Sequence, residues 1–136
     1  MTQTVLDQLG GEEALHRLVN HFYDLMETDP AAHDLMRLHF RGHGMNHIRT
    51  EQINFLSGFF GGRQYYKEKH GHMDVRKMHA HIPIRTADAE QWLTVMDKAL
   101  NDCGHAGAHI DRIRATLRRV ALMLVNDVED WRIAKP

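Results

Sequence analysis

The stretch LHRLVNHFYDLMETDP, residues 15–30, decides the fold class of this chain. Leu15, Leu18, Val19, Phe22, Leu25 and Met26 recur at spacings of three and four, which lays them along one stripe of an α-helix. The run stops where Thr28 and Asp29 meet Pro30, because the residue before a proline is pushed out of helical geometry. Strand alternation would place every second residue on one face, and no such alternation persists anywhere in the chain.

The same reading extends outward. A short helix is expected over 31–38, and 39–44 reads as a turn. From Met45 the residues Ile48, Phe55, Leu56 and Phe59 mark a second long helix, stopped by Gly61 and Gly62. Residues 63–85 are polar and histidine-rich, with room only for a short helix around 73–79 before Pro83. Thr86 is the expected N-cap of a third long helix carrying Trp92, Leu93, Met96, Ala99 and Leu100. Gly104 to Ala108 break it. The last helix carries Ile110, Ile113, Leu117, Val120, Ala121, Leu124 and Val125. The expectation is an all-α fold of four long helices forming one domain over 1–136, since 136 residues leave little room for two.

Composition narrows the function. Hydrophobic residues make up 43% and charged residues 26%, a globular mix. A formal charge of -1 supplies no basic field, which argues against nucleic acid and anionic membrane as partners. Cys103 is the only cysteine and forms no internal disulfide, which suits a reducing cytoplasm. No basic leader precedes an apolar run at the N-terminus, and no window reaches about 18 apolar residues, so neither a signal peptide nor a membrane span is expected. Histidine is unusually frequent, 12 in 136, which raises the expectation of a metal or cofactor site.

Three polar residues interrupt the apolar stripes. Tyr23 lies between Val19 and Met26, Gln52 falls in the row Ile48, Gln52, Phe55, Phe59, and Trp92 heads the row Trp92, Met96, Ala99. A buried phenol, carboxamide or indole N–H each needs a partner, at a cost of about 1–3 kcal/mol if it lacks one. They either bond to one another as a structural network or line a pocket for a polar guest.

Metal-ligand spacings are mostly negative. His43 and His47 stand four apart, but no HExxH, CxxC or acidic third ligand accompanies them. A di-iron bundle needs Glu-x-x-His on paired helices, which Glu68 with His70 and His72, and Glu90 with no histidine near, do not supply; CxxCH for covalent haem and phosphate-binding glycine loops are missing. His79 differs from the other histidines. It lies just before Ile82, Pro83 and Ile84, with Arg76 one turn earlier, a setting in which one imidazole ligates haem iron and a cation pairs a propionate.

Together these residues resemble the truncated haemoglobins of the second group along nearly the whole chain. The resemblance rests on Leu9, Gly10 and Gly11; Leu18, Val19, Phe22 and Tyr23; Phe55 to Gly58 with Gly61 and Gly62; Tyr66; Gly71 and His72; Arg76, Met78 and His79; Ile82 to Ile84; and Gln91 to Leu93. It implies a two-over-two helical sandwich enclosing one haem b, with His79 as the proximal ligand and Tyr66 and Arg76 at the propionates. Phe55, Ile84, Trp92 and Met96 would line the haem. On the distal side it implies Tyr23, Trp92, His39 and Gln52 as ligand-binding residues. Ile48 stands where other globins often carry a distal histidine.

The function this implies is reversible binding of O2, and of NO and CO, at a pentacoordinate ferrous iron; the family also suggests oxygen transport. A second reading is a haem redox enzyme, dioxygenating NO or acting on peroxide. No flavin or nicotinamide motif lies in the chain, so an electron-donating reductase would be a separate protein. A third is a helical adaptor with a buried polar network and no cofactor.

Overall fold

The computed structural model describes residues 3–32, 45–74 and 84–126. Helix α1 spans Val5–Leu9 and α2 spans Gly11–Thr28, followed by a 3-10 turn over Pro30–Ala32. Helix α3 spans Met45–Phe59, α4 Tyr65–His70, α5 Thr86–Asp102 and α6 Ala108–Met123. No strand occurs among the described residues. The turn expected over 39–44, the remainder of the short helix over 31–38, and His39, Arg76 and His79 lie outside them. Of the helix expected around 73–79, Met73 and Asp74 are non-helical and the rest lies outside the described residues.

Two short helices were not expected from the sequence. Helix α1 is nucleated by a capping box: the Asp7 amide donates to Thr4 Oγ1 at 3.0 Å, and the Thr4 amide donates to Asp7 Oδ2 at 3.1 Å. It docks through the Leu6 amide, which donates to the Phe60 carbonyl at 2.9 Å. Gly62 makes this approach possible, because a Cβ there would lie 2.3 Å from Leu6 Cδ2. Gly10 joins α1 to α2 with φ of 119°, a left-handed conformation that glycine adopts without steric penalty. Helix α2 therefore begins at Gly11, one turn before the apolar stripe.

The second unexpected helix, α4, lies within the stretch read as loop. It ends on Gly71 and is held to α3 by Lys69 and His70, whose side chains both bond to Glu51. Helix α5 starts at Thr86 with Arg85 as its N-cap, one residue before the expected cap. Asp88, 4% exposed, closes that first turn by accepting from the Arg85 amide at 2.9 Å and from its guanidinium.

The long helices form two pairs, α2 with α3 and α5 with α6, which meet chiefly where α2 crosses α5. The stripe that decided the fold is the centre of the core: Leu15, Leu18, Val19, Phe22, Tyr23 and Met26 are all within 1% of complete burial. Each large apolar side chain removed from water contributes about 1.5–3 kcal/mol. The α5–α6 pair is laced by ion pairs, Arg114 with Asp97 at 2.5 Å and Arg118 with Glu90. Its open end is tied by Asn126, whose Oδ1 accepts from the Ile84 amide at 2.8 Å while its own amide donates to the Ile84 carbonyl at 3.0 Å.

Candidate functional site

Tyr23 is carried by the most buried helix. Its ring meets Phe22 edge-on, with centroids 4.9 Å apart and planes at 84°, and Phe22 in turn lies 5.4 Å from Trp92 on α5. Adjacent residues on α2 diverge by about 100°, so beyond this contact the two rings address different neighbours, Tyr23 the Arg49 cation and Phe22 the Trp92 indole. Burial pushes the Tyr23 hydroxyl well above its ordinary pKa of 10.0, against a smaller opposing pull from the Arg49 cation. At neutral pH the group is a protonated phenol, able to donate.

Arg49 was not singled out from the sequence, yet it is the most heavily bonded side chain near Tyr23. It stands three residues before Gln52 and seven before the buried Leu56, on the side of α3 that faces α2. Nη1 donates to the Asn20 carbonyl at 2.8 Å and to Asn20 Oδ1 at 3.1 Å, and Nη2 donates to Asp24 Oδ1 at 2.7 Å. Its guanidinium carbon lies 5.8 Å from the centroid of the Tyr23 ring. The sequence signal was faint, a single cation beside Ile48 at the edge of an apolar row.

Gln52 is half-buried on α3, and among the described residues nothing hydrogen-bonds its carboxamide. The same holds for the indole N–H of half-buried Trp92. No hydrogen bond among the described residues joins Tyr23, Gln52 and Trp92, so the internal polar network considered from the sequence is not formed.

A run of rings continues along α3. Phe55 stacks on Phe59, with centroids 5.8 Å apart and planes at 17°, and meets the edge of Tyr66 at 5.8 Å and 88°. Phe55 and Phe59 pack on the core yet keep part of their surface exposed, as does Trp92. Tyr66, 9% exposed, packs against His70 with centroids 4.3 Å apart and planes tilted by 36°. Glu51 accepts from His70 Nε2 at 2.7 Å and from Lys69 Nζ at 2.8 Å. Partial burial raises the Glu51 carboxyl, but those two bonds and their charges outweigh it and hold it below the usual range. Burial and the nearby Glu51 charge both raise Tyr66.

Ile84 is 9% exposed and fixed by Asn126. Met96, 1% exposed, follows Trp92 by one turn and also borders a cleft of about 240 Å³ between α5 and α6, with Leu93, Leu100 and Leu117. Of the site residues expected from the sequence, the described structure thus places Tyr23 and Trp92 around Phe22, Phe55 beside Tyr66, Gln52 on the same helix as Phe55, and Ile84 at the entry to α5. Among the described residues no group of three or more His, Cys, Asp or Glu side chains is placed to hold a metal ion.

The comparisons with known proteins bear on the family and the fold. The family model for bacterial-like globins matches residues 4–126. The group 2 truncated hemoglobin YjbI of Bacillus subtilis is 32% identical over 119 residues, covering 88% of this chain and 86% of that protein. The group II 2-on-2 hemoglobin of Agrobacterium tumefaciens superposes with a TM-score of 0.85 at 28% identity, covering 93% of this chain and 96% of that one. A truncated oxygen-avid haemoglobin from Bacillus subtilis gives 0.78 at 29% identity, covering 91% and 100%. With its all-helical two-over-two architecture, the chain belongs to the bacterial-like globins, among the truncated haemoglobins of group II.

Proposed function

We propose that this chain, as a single globin domain, holds one haem b through His79 and binds O2, NO and CO. The observation that carries the reading is that Phe55, Phe59 and Trp92 pack on the core yet keep part of their surface exposed, while the Gln52 carboxamide and the Trp92 N–H bond to nothing among the described residues. Rings left partly exposed at the edge of the core suit a flat apolar macrocycle, and donors without a partner among the described residues suit a small polar guest. The residues fit the group. Bound haem supplies an iron with one open coordination position for a diatomic ligand.

The chain's own residues do the rest. His79 lies between Arg76 and Ile82–Ile84 in the sequence, and two hydrogen bonds between Asn126 and Ile84 fix Ile84 itself. Tyr66 and Arg76 supply polar contacts at the propionate edge, while Phe55, Ile84, Trp92 and Met96 supply apolar walls. Tyr23, kept protonated by burial, donates toward the ligand, with Trp92, Gln52 and His39 as further donors. Two donors contributing a net ~1–1.5 kcal/mol each slow ligand release by roughly 30- to 150-fold. Retention on that scale favours sensing or ligand chemistry over transport, in keeping with the oxygen-avid character named for the Bacillus subtilis neighbour.

Optical spectra of the ferric, ferrous and CO-treated protein test the reading. The expected result is a strong violet absorption band that sharpens and shifts with CO. A purified chain that takes up no haemin and shows no such band refutes it.

A further inference from the structure

We propose that Arg49 is a positioning residue for Tyr23: it tunes that phenol as a hydrogen-bond donor and so sets the discrimination between O2 and CO. The inference rests on the haem-globin reading above and extends it to a residue outside the ligand's contact shell.

Asn20, Tyr23 and Asp24 occupy one turn of α2, and Arg49 reaches that turn from α3. Its side chain is only 16% exposed. Three donor contacts clamp the fork to Asn20 and Asp24, and Glu27 lies 3.9 Å away. A planar fork anchored at both nitrogens has little freedom to leave, unlike a surface lysine. The clamp therefore fixes both the α2–α3 spacing beside Tyr23 and the position of the charge over its ring.

The charge is unevenly screened. Asp24 and Glu27, the carboxylates that partly offset it, are 60% and 45% exposed and washed by solvent. The Tyr23 ring is completely buried, so the field of the guanidinium acts there at a lower effective dielectric. A cation beside the ring draws electron density from the phenol and makes its O–H a stronger donor. Arg49 accordingly opposes the effect of burial on the Tyr23 pKa. A stronger donor matters most for a ligand whose outer atom carries charge. Bound O2 is polarised in that way and CO hardly is, so the effect is selective.

The 5.8 Å separation lies at the outer limit of cation–π contact, so the effect belongs at the modest end of that range. In the haem-loaded protein, Arg49→Met is expected to speed O2 dissociation about two- to fivefold and CO dissociation by less than about 1.5-fold. The C–O stretching frequency of the CO complex, read by infrared, rises because the positive field on the distal side weakens. Arg49→Lys, which keeps the charge, recovers most of the parent frequency. In a Tyr23→Phe background Arg49→Met adds nothing further to either readout. Asp24→Asn is a separate variant at an exposed position, usable even if Arg49→Met folds poorly. Removing the offsetting charge shifts the frequency downward.

The inference is overturned if Arg49→Met has the same effect with Phe at position 23, since Arg49 then acts only by holding helices together. It is also overturned if Arg49→Met lowers the melting temperature but leaves the frequency and the O2 rate unchanged, or if Asp24→Asn leaves the frequency in place or raises it. A chain that binds no haemin refutes the underlying reading, and this inference with it; a chain that binds haem normally but gives the outcomes just named refutes this inference alone.

Discussion

Removing one oxygen atom from the centre of α2 probes both the stability and the chemistry of this protein. In Tyr23→Phe the ring keeps its contacts with Phe22, so the core loses a hydroxyl and no volume elsewhere. The native phenol resists ionisation because it is buried, whereas in the unfolded chain it ionises near its ordinary pKa of 10.0. Below that pH both states hold the proton and the parent's stability carries no slope from this group. Above it the unfolded state gives up its proton first, so stability is lost as pH rises from 10 toward the raised native value. The slope approaches about 1.4 kcal/mol per pH unit. Guanidinium unfolding of parent and variant at pH 8, 10 and 11 measures it. Their stability difference is expected to move in favour of the variant between pH 10 and 11, by more than it moves between pH 8 and 10. Tyr65 and Tyr66 titrate in both proteins and cancel. Ligand release gives an independent reading: loss of one donor worth a net ~1–1.5 kcal/mol speeds O2 dissociation about 5- to 12-fold. Parallel pH curves would refute the burial argument, and an O2 rate unchanged within about twofold would refute Tyr23 as a donor.

Three further outcomes follow from other residues. His79→Ala is expected to abolish stable haem retention, and a variant that purifies with full haem and an unaltered ferrous spectrum would remove His79 from the proximal role. Asn126→Ala breaks the side-chain bond to the Ile84 amide and is expected to cost about 1 kcal/mol in denaturant unfolding and to quicken haem transfer to an acceptor globin. Glu51→Gln removes a carboxylate whose lowered pKa adds stability above 4.5 that is lost as pH falls through the native value. The variant is expected to be less stable by under about 1 kcal/mol at pH 7, with the gap closing in acid.

The long helices were legible because each carries several turns of apolar residues, enough for periodicity to emerge. Helices α1 and α4, at five and six residues, are too short for that. Their stability comes from elsewhere: α1 from its capping box and the Leu6 bond to Phe60, α4 from the grip of Lys69 and His70 on Glu51. The Thr4–Asp7 box is local but spans only three positions, whereas the Leu6–Phe60 bond and the Glu51 contacts join residues 18 to 54 positions apart and leave no local pattern. Within the site, Tyr23 and Trp92 stood out as polar groups on apolar rows, and burial and ring contacts put them together. Arg49 did not stand out, because its role depends on where α2 crosses α3. Spacing along one helix says nothing of that crossing. His39, Arg76 and His79 rest on the sequence resemblance, outside the described residues.

The tie between Ile84 and Asn126 changes how the α5–α6 hairpin comes apart. A helical hairpin joined only at its turn frays from the open end, one strand of the pair at a time. Here the residue entering α5 and the residue leaving α6 are bound to each other by two hydrogen bonds across 42 positions of sequence. Fraying the last turn of α6 and loosening the start of α5 are therefore one cooperative event. Amide protons at both ends should exchange with a common opening free energy, as a single unit of local unfolding.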